Sequence, residues 1–355
     1  MAITIFKGRH GLVAHYEEDR VIGQSLRVYG EWAEEEIYLL SHAVRPGDTV
    51  LDVGANVGSH AIAFARLVGG AGRVLAIDGQ RRASDLLALN LLLNGAGNVT
   101  RIEGLVGRET GILHLEGEGS PENLGCMSFR DSVGRSERGA SALPIALFSI
   151  DSLALPACRL VKIDVEGMEL DVLAGAAQTI ARHRPVIYFE QTSDTNFVEI
   201  ATLLEEAGYR LHWHVANPYN RRNFRGHDGN IFGGTCEVNV LCLPDGETLD
   251  LPEAVTLHPV VDRRYAPPPS TTGTEGWSLP ADAYRTVPEV SHRPGVVLPP
   301  DPARFVGRQD YELLEQQFLD LRRDRIRAQE IMNYQAGLLS GLAPAGATPR
   351  EPVPA

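Results

Sequence analysis

Lysine is almost missing from this 355-residue chain. It stands only at Lys7 and Lys162, so nearly all of the 33 basic residues are arginine. The codon bias of a GC-rich genome explains that shortage more simply than function does. Cysteine is scarce as well: Cys126, Cys158, Cys236 and Cys242 form no C-x-x-C pair, which fits a reduced, cytoplasmic protein. No apolar run is long enough to span a bilayer, and MAITIFKGRHGL has no apolar stretch of signal-peptide length. Positive charge is in deficit overall. The net charge of -13 and pI near 5.3 argue against generic binding to nucleic acid or membrane surfaces. With 43% hydrophobic residues, there is enough apolar material for one large domain plus extensions.

The stretch that orders the rest is DTVLDVGANVGSHAIAFAR, residues 48–66. Thr49 to Val53 is a β-branched and aliphatic run that reads as a strand buried on both faces. Gly54 breaks it, and Gly58 opens an apolar stretch with helical spacing. The turn lacks two things. A dinucleotide fingerprint needs a middle glycine to let a pyrophosphate touch the backbone, and Ala55 and Asn56 stand there instead. A P-loop needs a lysine after its last glycine, and Ser59 and His60 follow. What remains is D-x-G-x-x-x-G with a carboxylate, Asp52, just before the turn. It suits a ligand with a cationic amine and no phosphate, or is simply a tight βα turn. The pattern looks like motif I of class I S-adenosylmethionine-dependent methyltransferases.

Around it, further elements follow in order. Ile3–Phe6 and Arg20–Val28 read as strands. From Glu31 to Val44 a helical stripe of Trp32, Ile37, Leu40 and Val44 predicts a lid helix with Glu34, Glu35 and Glu36 on its wet side. Arg73 to Ile77 is a second buried strand ending at Asp78, where a carboxylate accepts from both hydroxyls of a ribose. A leucine-rich helix over 84–94 and a strand over 99–106, with Glu103 near its end, complete three βα units and predict a doubly wound parallel sheet. The stretch 107–142 is too long for an ordinary connection and reads as a flap or as disorder. After the strand Pro185–Phe189 and the helix Asn196–Gly208, the strands Arg210–Val215 and Glu237–Leu243 predict an antiparallel hairpin. The loop between them, ANPYNRRNFRGHDGNIFGG, is unusual for its asparagine, arginine and aromatic content.

In RLVKIDVEGMELDVLAGAA, strand alternation puts Lys162, Asp164 and Glu166 on one face. Three charges on one face of a central strand need a wet cleft or one another. The plain alternative is a structural Lys162–Asp164 pair with Glu166 as a helix-start acid.

Lys162-Ile-Asp-Val-Glu-Gly167, followed by Met-Glu and by Val172-Leu-Ala-Gly-Ala176, resembles the hallmark of the FkbM family of methyltransferases. GEWAEEEI, LDVGANVGSH, NLG at 123–125 and RPVIYFE recur in the same order, and NPYNRRNF…NIFGG…VNVLCLP looks like the C-terminal part of one bacterial subgroup. The likeness covers about 30–244. One departure is Ile77-Asp78-Gly79 where the family usually shows Phe-Glu-Pro.

The resemblance implies a Rossmann-like α/β methyltransferase domain over 46–245. It would be preceded by N-terminal strands and a lid helix (1–45). A Pro-rich linker or wrap (246–310), a C-terminal helix (311–340) and a disordered tail (341–355) would follow. It implies S-adenosyl-L-methionine as cofactor, contacted by Asp52, Gly54, Asn56, Gly58, Asp78 and Glu103, and transfer of its methyl to a hydroxyl of a sugar, glycan or polyketide-like product. Asp164 and Glu166 are the candidate proton acceptors, Asp164 first, with Lys162 orienting them. Asn123, Glu190, His214 and Asn223 are candidate acceptor contacts. A metal bound by His212, His214, His227 and Asp228 is disfavoured by the loose spacing, so these histidines and Trp213 are expected to wall the acceptor pocket. The long 311–339 helix offers a surface for homo-oligomerisation. Two readings compete. One is a nicotinamide oxidoreductase using Asp78 on ribose; the other is a non-catalytic scaffold acting through its C-terminal helix.

Overall fold

The computed structural model describes residues 3–115 and 143–284. Asn123, the helix expected over 311–340 and the tail expected over 341–355 lie outside the described residues.

Strands β1 (Ile3–Gly8) and β2 (Gly11–Tyr16) form an antiparallel hairpin, and helices α1 (Ile22–Val28) and α2 (Glu34–Ser41) follow. Then come β3 (Thr49–Val53), α3 (Ser59–Val68), β4 (Arg73–Asp78), α4 (Arg81–Leu93) and β5 (Val99–Glu103). Strands β6 (Leu105–Val106), β7 (Gly111–Leu115) and β8 (Leu143–Phe148) make a small separate sheet. The chain returns through β9 (Leu160–Ile163), α5 (Glu169–Ala174), α6 (Ala177–His183), β10 (Val186–Glu190), α7 (Phe197–Glu206), β11 (Tyr209–Ala216), β12 (Glu237–Pro244) and β13 (His258–Pro259).

The main sheet runs β13-β11-β12-β10-β9-β3-β4-β5. Strands β3, β4, β5, β9 and β10 are parallel, while β12 lies antiparallel between β10 and β11. The parallel α/β sheet with an antiparallel hairpin at its end is therefore the one expected from the strand pattern. From β3 the chain winds outward to β5, then crosses back to β9 and winds the other way. The carboxyl ends of β3 and β9 thus flank a topological switch point, where open α/β sheets hold ligands.

Alternation along the central strands divides the core in two. Leu51, Val53, Val161, Ile163, Ile187 and Phe189 face Val172, Ile200 and Leu204 of α5 and α7. Val50, Leu160, Val186 and Tyr188 face Leu39, Leu40, Phe64 and Val68 of α2 and α3.

Four expectations fail. The stretch read as a strand over 20–28 is the helix α1, because Ile22 and Leu26, one helical turn apart, fill a hydrophobic gap against β2 and α4. Within the long connection read as flap or disorder, that reading fails for residues 111–115, which form β7, paired to β8, while residues 116–142 lie outside the described residues. Trp213 packs in the core against Phe197 and Tyr265 and does not border the cleft at the switch point. Most consequentially, Glu34, Glu35 and Glu36 are buried, not wet. His10 and Tyr284 bond Glu34, at 2.9 and 2.6 Å. The Asn217 backbone N–H donates to Glu35 at 2.7 Å, and the Asn239 side chain donates to Glu36 at 3.1 Å. Helix α2 is a polar plug whose acids are satisfied by loop and strand residues distant in sequence.

Two side-chain amides, Asn90 in α4 and Asn94 just after it, tie the N-terminal hairpin to this frame. Asn94 accepts the Leu12 N–H at 2.8 Å and donates to the Leu12 carbonyl at 2.6 Å. Buried Asn90 of α4 accepts the Ala14 N–H at 2.6 Å and donates to the Ala14 and Val57 carbonyls at 3.0 and 2.8 Å. Asn90→Ala leaves those groups buried and unpaired, which costs about 2–4 kcal/mol. Urea unfolding should show that loss as a lowered midpoint with an unchanged slope.

Candidate active site

The turn after β3 is shaped by steric necessity. Gly54 has φ +81°, and a Cβ there would lie 1.7 Å from the Asp164 carbonyl oxygen, so the tip of β9 presses directly on the turn. Its N–H and that of Ala55 both donate to the Ile77 carbonyl, at 2.9 Å, tying the turn to β4. Asn56 takes a left-handed φ of 48°, which asparagine tolerates, and its N–H donates to Asp78 at 2.8 Å. The other Asp78 oxygen accepts the Gln80 N–H at 2.7 Å. Burial pushes the Asp78 carboxyl up to about 7, against the pull of those two N–H groups.

Across the cleft, Lys162 lies in register between Asp52 of β3 and Tyr188 of β10. Its ammonium is 3.0 Å from Asp164 and 3.8 Å from Asp52. Burial alone would weaken that charge, but the carboxylates Asp164, Asp52 and Glu36 hold it above its ordinary value. Beyond β9, Glu166 sits at φ +51°, a strained conformation that costs on the order of 1–3 kcal/mol. Glu169 closes the turn by accepting the Gly167 N–H at 2.9 Å. Burial, with Asp164 and Glu169 close by, raises Glu166 to about 7.

Two carboxyl pairs complete the cleft. Burial and the neighbouring Asp164, Glu166 and Glu36 push Glu190 far up, so it keeps its proton and shares it with Asp164. Burial and Glu36 likewise raise Glu237, which donates to Glu36. Burial alone would raise Glu36. His60, 3.4 Å away, and the Glu237 proton hold it well below the usual carboxylate range.

The resulting cleft has about 1220 Å³ of empty space, counting the part open to solvent. Gly54, Asn56, Asp78, Lys162, Asp164, Glu166 and Glu190 all border it. Other expected site residues do not. Asp52 lies fully buried beneath Lys162, with neither oxygen hydrogen-bonded among the described residues. Gly58 starts α3 at φ +91° and makes room for Leu87. Glu103 pairs with Arg101 outside the cleft wall. His214 is buried against the Tyr188 hydroxyl, at 2.7 Å, because its face of β11 packs into the interior. Asn223 spends its amide on the Asn220 and His227 carbonyls, building a turn.

Residues 52–211 match the Methyltransferase FkbM domain. The matched stretch is a little under half of the chain. Among solved structures, the FkbM methyltransferase from Methylobacillus flagellatus is similar at 18% identity and a TM-score of 0.37, over 56% of this chain. The chain spans 44% of that protein's length. Fibrillarin from Aeropyrum pernix, in complex with natively bound S-adenosyl-L-methionine, aligns at 12% identity and TM-score 0.35, over 68% of this chain and 98% of its own. A putative O-methyltransferase from Klebsiella pneumoniae aligns at 15% identity and TM-score 0.33, over 59% and 78%. No curated protein matches by sequence.

The cleft also draws in residues that were not expected to line a site. Trp32, Glu36, His60, Gln80, Met168, Glu237 and Asn239 all border it. Asn239 falls opposite Glu190 in the pairing of β10 with β12, so both reach the same sheet edge, but that pairing joins strands distant in sequence and no local pattern announces it.

Carboxyls raised by folding bind protons that the unfolded chain releases, so stability falls as pH rises toward their folded values. Glu190 is one such case, pushed up to about 10 by burial and by Asp164 beside it. Thermal unfolding should therefore show stability declining between pH 7 and 9. Glu190→Gln, whose amide can still donate to Asp164, should flatten that slope by up to about 1.4 kcal/mol per pH unit.

Proposed function

We propose that this chain transfers a methyl group from S-adenosylmethionine to a hydroxyl oxygen of a sugar, glycan or polyketide-like acceptor. One observation carries the reading: a cleft at the switch point of the sheet is walled by carboxyl groups, and one of them, Asp78, stands at the tip of β4 with both oxygens oriented by backbone N–H groups. This wall suits a cationic ligand with a diol. It disfavours a nicotinamide dinucleotide, whose pyrophosphate would face Asp78, Asp164 and Glu166 across the same space.

When bound, S-adenosylmethionine supplies a methyl group on a positively charged sulfur. Asp78 would accept from the two ribose hydroxyls, a second pair of bonds that its ionised form favours. Gly54 and Asn56 keep the turn low beside it. Asp164, fixed by Lys162 below and by the Glu190 proton, contributes fixed negative charge near the sulfonium. Each of those two donors already holds it in place, so we assign proton acceptance to Glu166, which borders the same space, has no such donor on it among the described residues and is raised to about 7 by burial. Glu166 would take the proton of the acceptor hydroxyl as the carbon–oxygen bond forms and the methyl carbon–sulfur bond breaks, its electron pair leaving with the sulfur. Holding the two partners in line is the protein's larger contribution.

The cofactor assignment is tested by titration calorimetry with S-adenosylhomocysteine. Asp78→Ala should weaken binding by about 10- to 100-fold, and equal affinity in both proteins would refute it. The base assignment is tested on an acceptor found by mass spectrometry of extract incubated with isotopically labelled methyl donor. With donor and acceptor saturating, turnover should rise with pH through about 7, because Glu166 works only when deprotonated. Glu166→Gln should lose that limb and about 10²–10⁴ in turnover.

A further inference from the structure

Between β11 and β12, residues 217–236 form a rim beside the cleft. Buried amides brace it: Asn220 accepts the N–H groups of Arg222 and Leu279 at 2.9 and 3.0 Å, and its own amide donates to Glu31 at 2.7 Å. The Phe224 N–H reaches the other Glu31 oxygen at 2.8 Å. On this braced turn Arg221, Arg222 and Arg225 are exposed, and Phe224 is 41% exposed between them. Among the described residues no carboxylate pairs with any of the three arginines. Arg225 stands over the Phe6 ring at 4.9 Å, and the Arg9 guanidinium donates to the Arg222 carbonyl at 2.6 Å. In a chain of net charge -13 this is a concentration of the minority sign.

The rim adjoins the acid-walled cleft. Phe224 packs on Gly30, two residues before Trp32, and Trp32 borders the cleft while its ring meets Phe232 at 5.8 Å. Two residues of chain span at most about 7 Å. A phosphate is repelled by the cleft's carboxyls and held by the rim's guanidinium forks. A sugar's hydroxyls, by contrast, donate well to carboxylates. An exposed ring between arginines offers a stacking face to a base.

We propose that this rim binds the diphosphate and base of a nucleoside diphosphate-linked sugar, placing the sugar in the cleft. Only the sugar's fate rests on the methyl-transfer reading; the nucleotide site stands by itself. The test is titration calorimetry of the full chain with uridine diphosphate, guanosine diphosphate and inorganic pyrophosphate. S-adenosylhomocysteine binding and thermal unfolding are measured on every variant. At least one nucleotide should bind more tightly than pyrophosphate and resist displacement by S-adenosylhomocysteine. Arg221→Ala, which removes no hydrogen bond among the described residues, should weaken it about tenfold. The triple variant R221A/R222A/R225A should abolish it with S-adenosylhomocysteine affinity unchanged. Failure of the wild type to bind either nucleotide overturns the proposal. So does undiminished binding by Arg221→Ala, or capture of phosphatidylglycerol–phosphatidylcholine vesicles in place of nucleotide. Nucleotide binding without S-adenosylhomocysteine binding would keep the rim and sink the methyltransferase reading.

Discussion

A single buried ammonium holds the site together. Lys162 is one of two lysines in the chain and sits 3% exposed at the centre of the sheet. A charge so placed survives only if carboxylates surround it. Asp52 comes from the strand on one side, Asp164 from the tip of its own strand, and Glu36 from the helix above. Those three segments are also the walls of the cleft. The ion cluster thus fixes the relative position of β3, β9 and α2 at the point where chemistry is proposed. This explains how Asp52, although expected to touch a ligand, serves beneath the surface as a counter-charge.

The second constraint is an excess of acid over base around that ammonium. Burial favours neutral carboxyls, and the cleft answers by pairing them, Glu190 with Asp164 and Glu237 with Glu36, each pair holding one proton. Such a wall is adapted to a positive partner. The guanidinium groups on the rim reverse the sign a short distance away, so the surface separates a region for cations and hydroxyls from one for anions. A ligand with both ends matches that separation; a uniformly anionic one does not.

Much of this was legible locally. The glycine turn and the buried strands depend on neighbours within a few residues, and they appear where periodicity puts them. Lys162, Asp164 and Glu166 all border the cleft, but β9 ends at Ile163, and Glu166 reaches it from a left-handed turn and not by strand alternation. The turn chemistry of Asn223 was likewise readable, since asparagine bonds its own backbone surroundings. The glutamates of α2 were not. Charged residues on a helix default to solvent, and only partners from Asn217, Asn239, His10 and Tyr284 make their burial affordable. His214 failed for the same reason: alternation gave its face correctly, but whether that face meets water or Tyr188 is decided by tertiary packing. Short helices such as α1 defeat periodicity because seven residues hold only one repeat of the pattern.

The central claim is where the cofactor lies, and a crystal structure grown with S-adenosylhomocysteine tests it most directly. The account predicts its ribose hydroxyls within hydrogen-bond distance of Asp78 and its sulfur in the space bordered by Gly54, Asp164 and Glu166. Density for the molecule elsewhere on the chain, with Asp78 contacting none of it, would contradict the account.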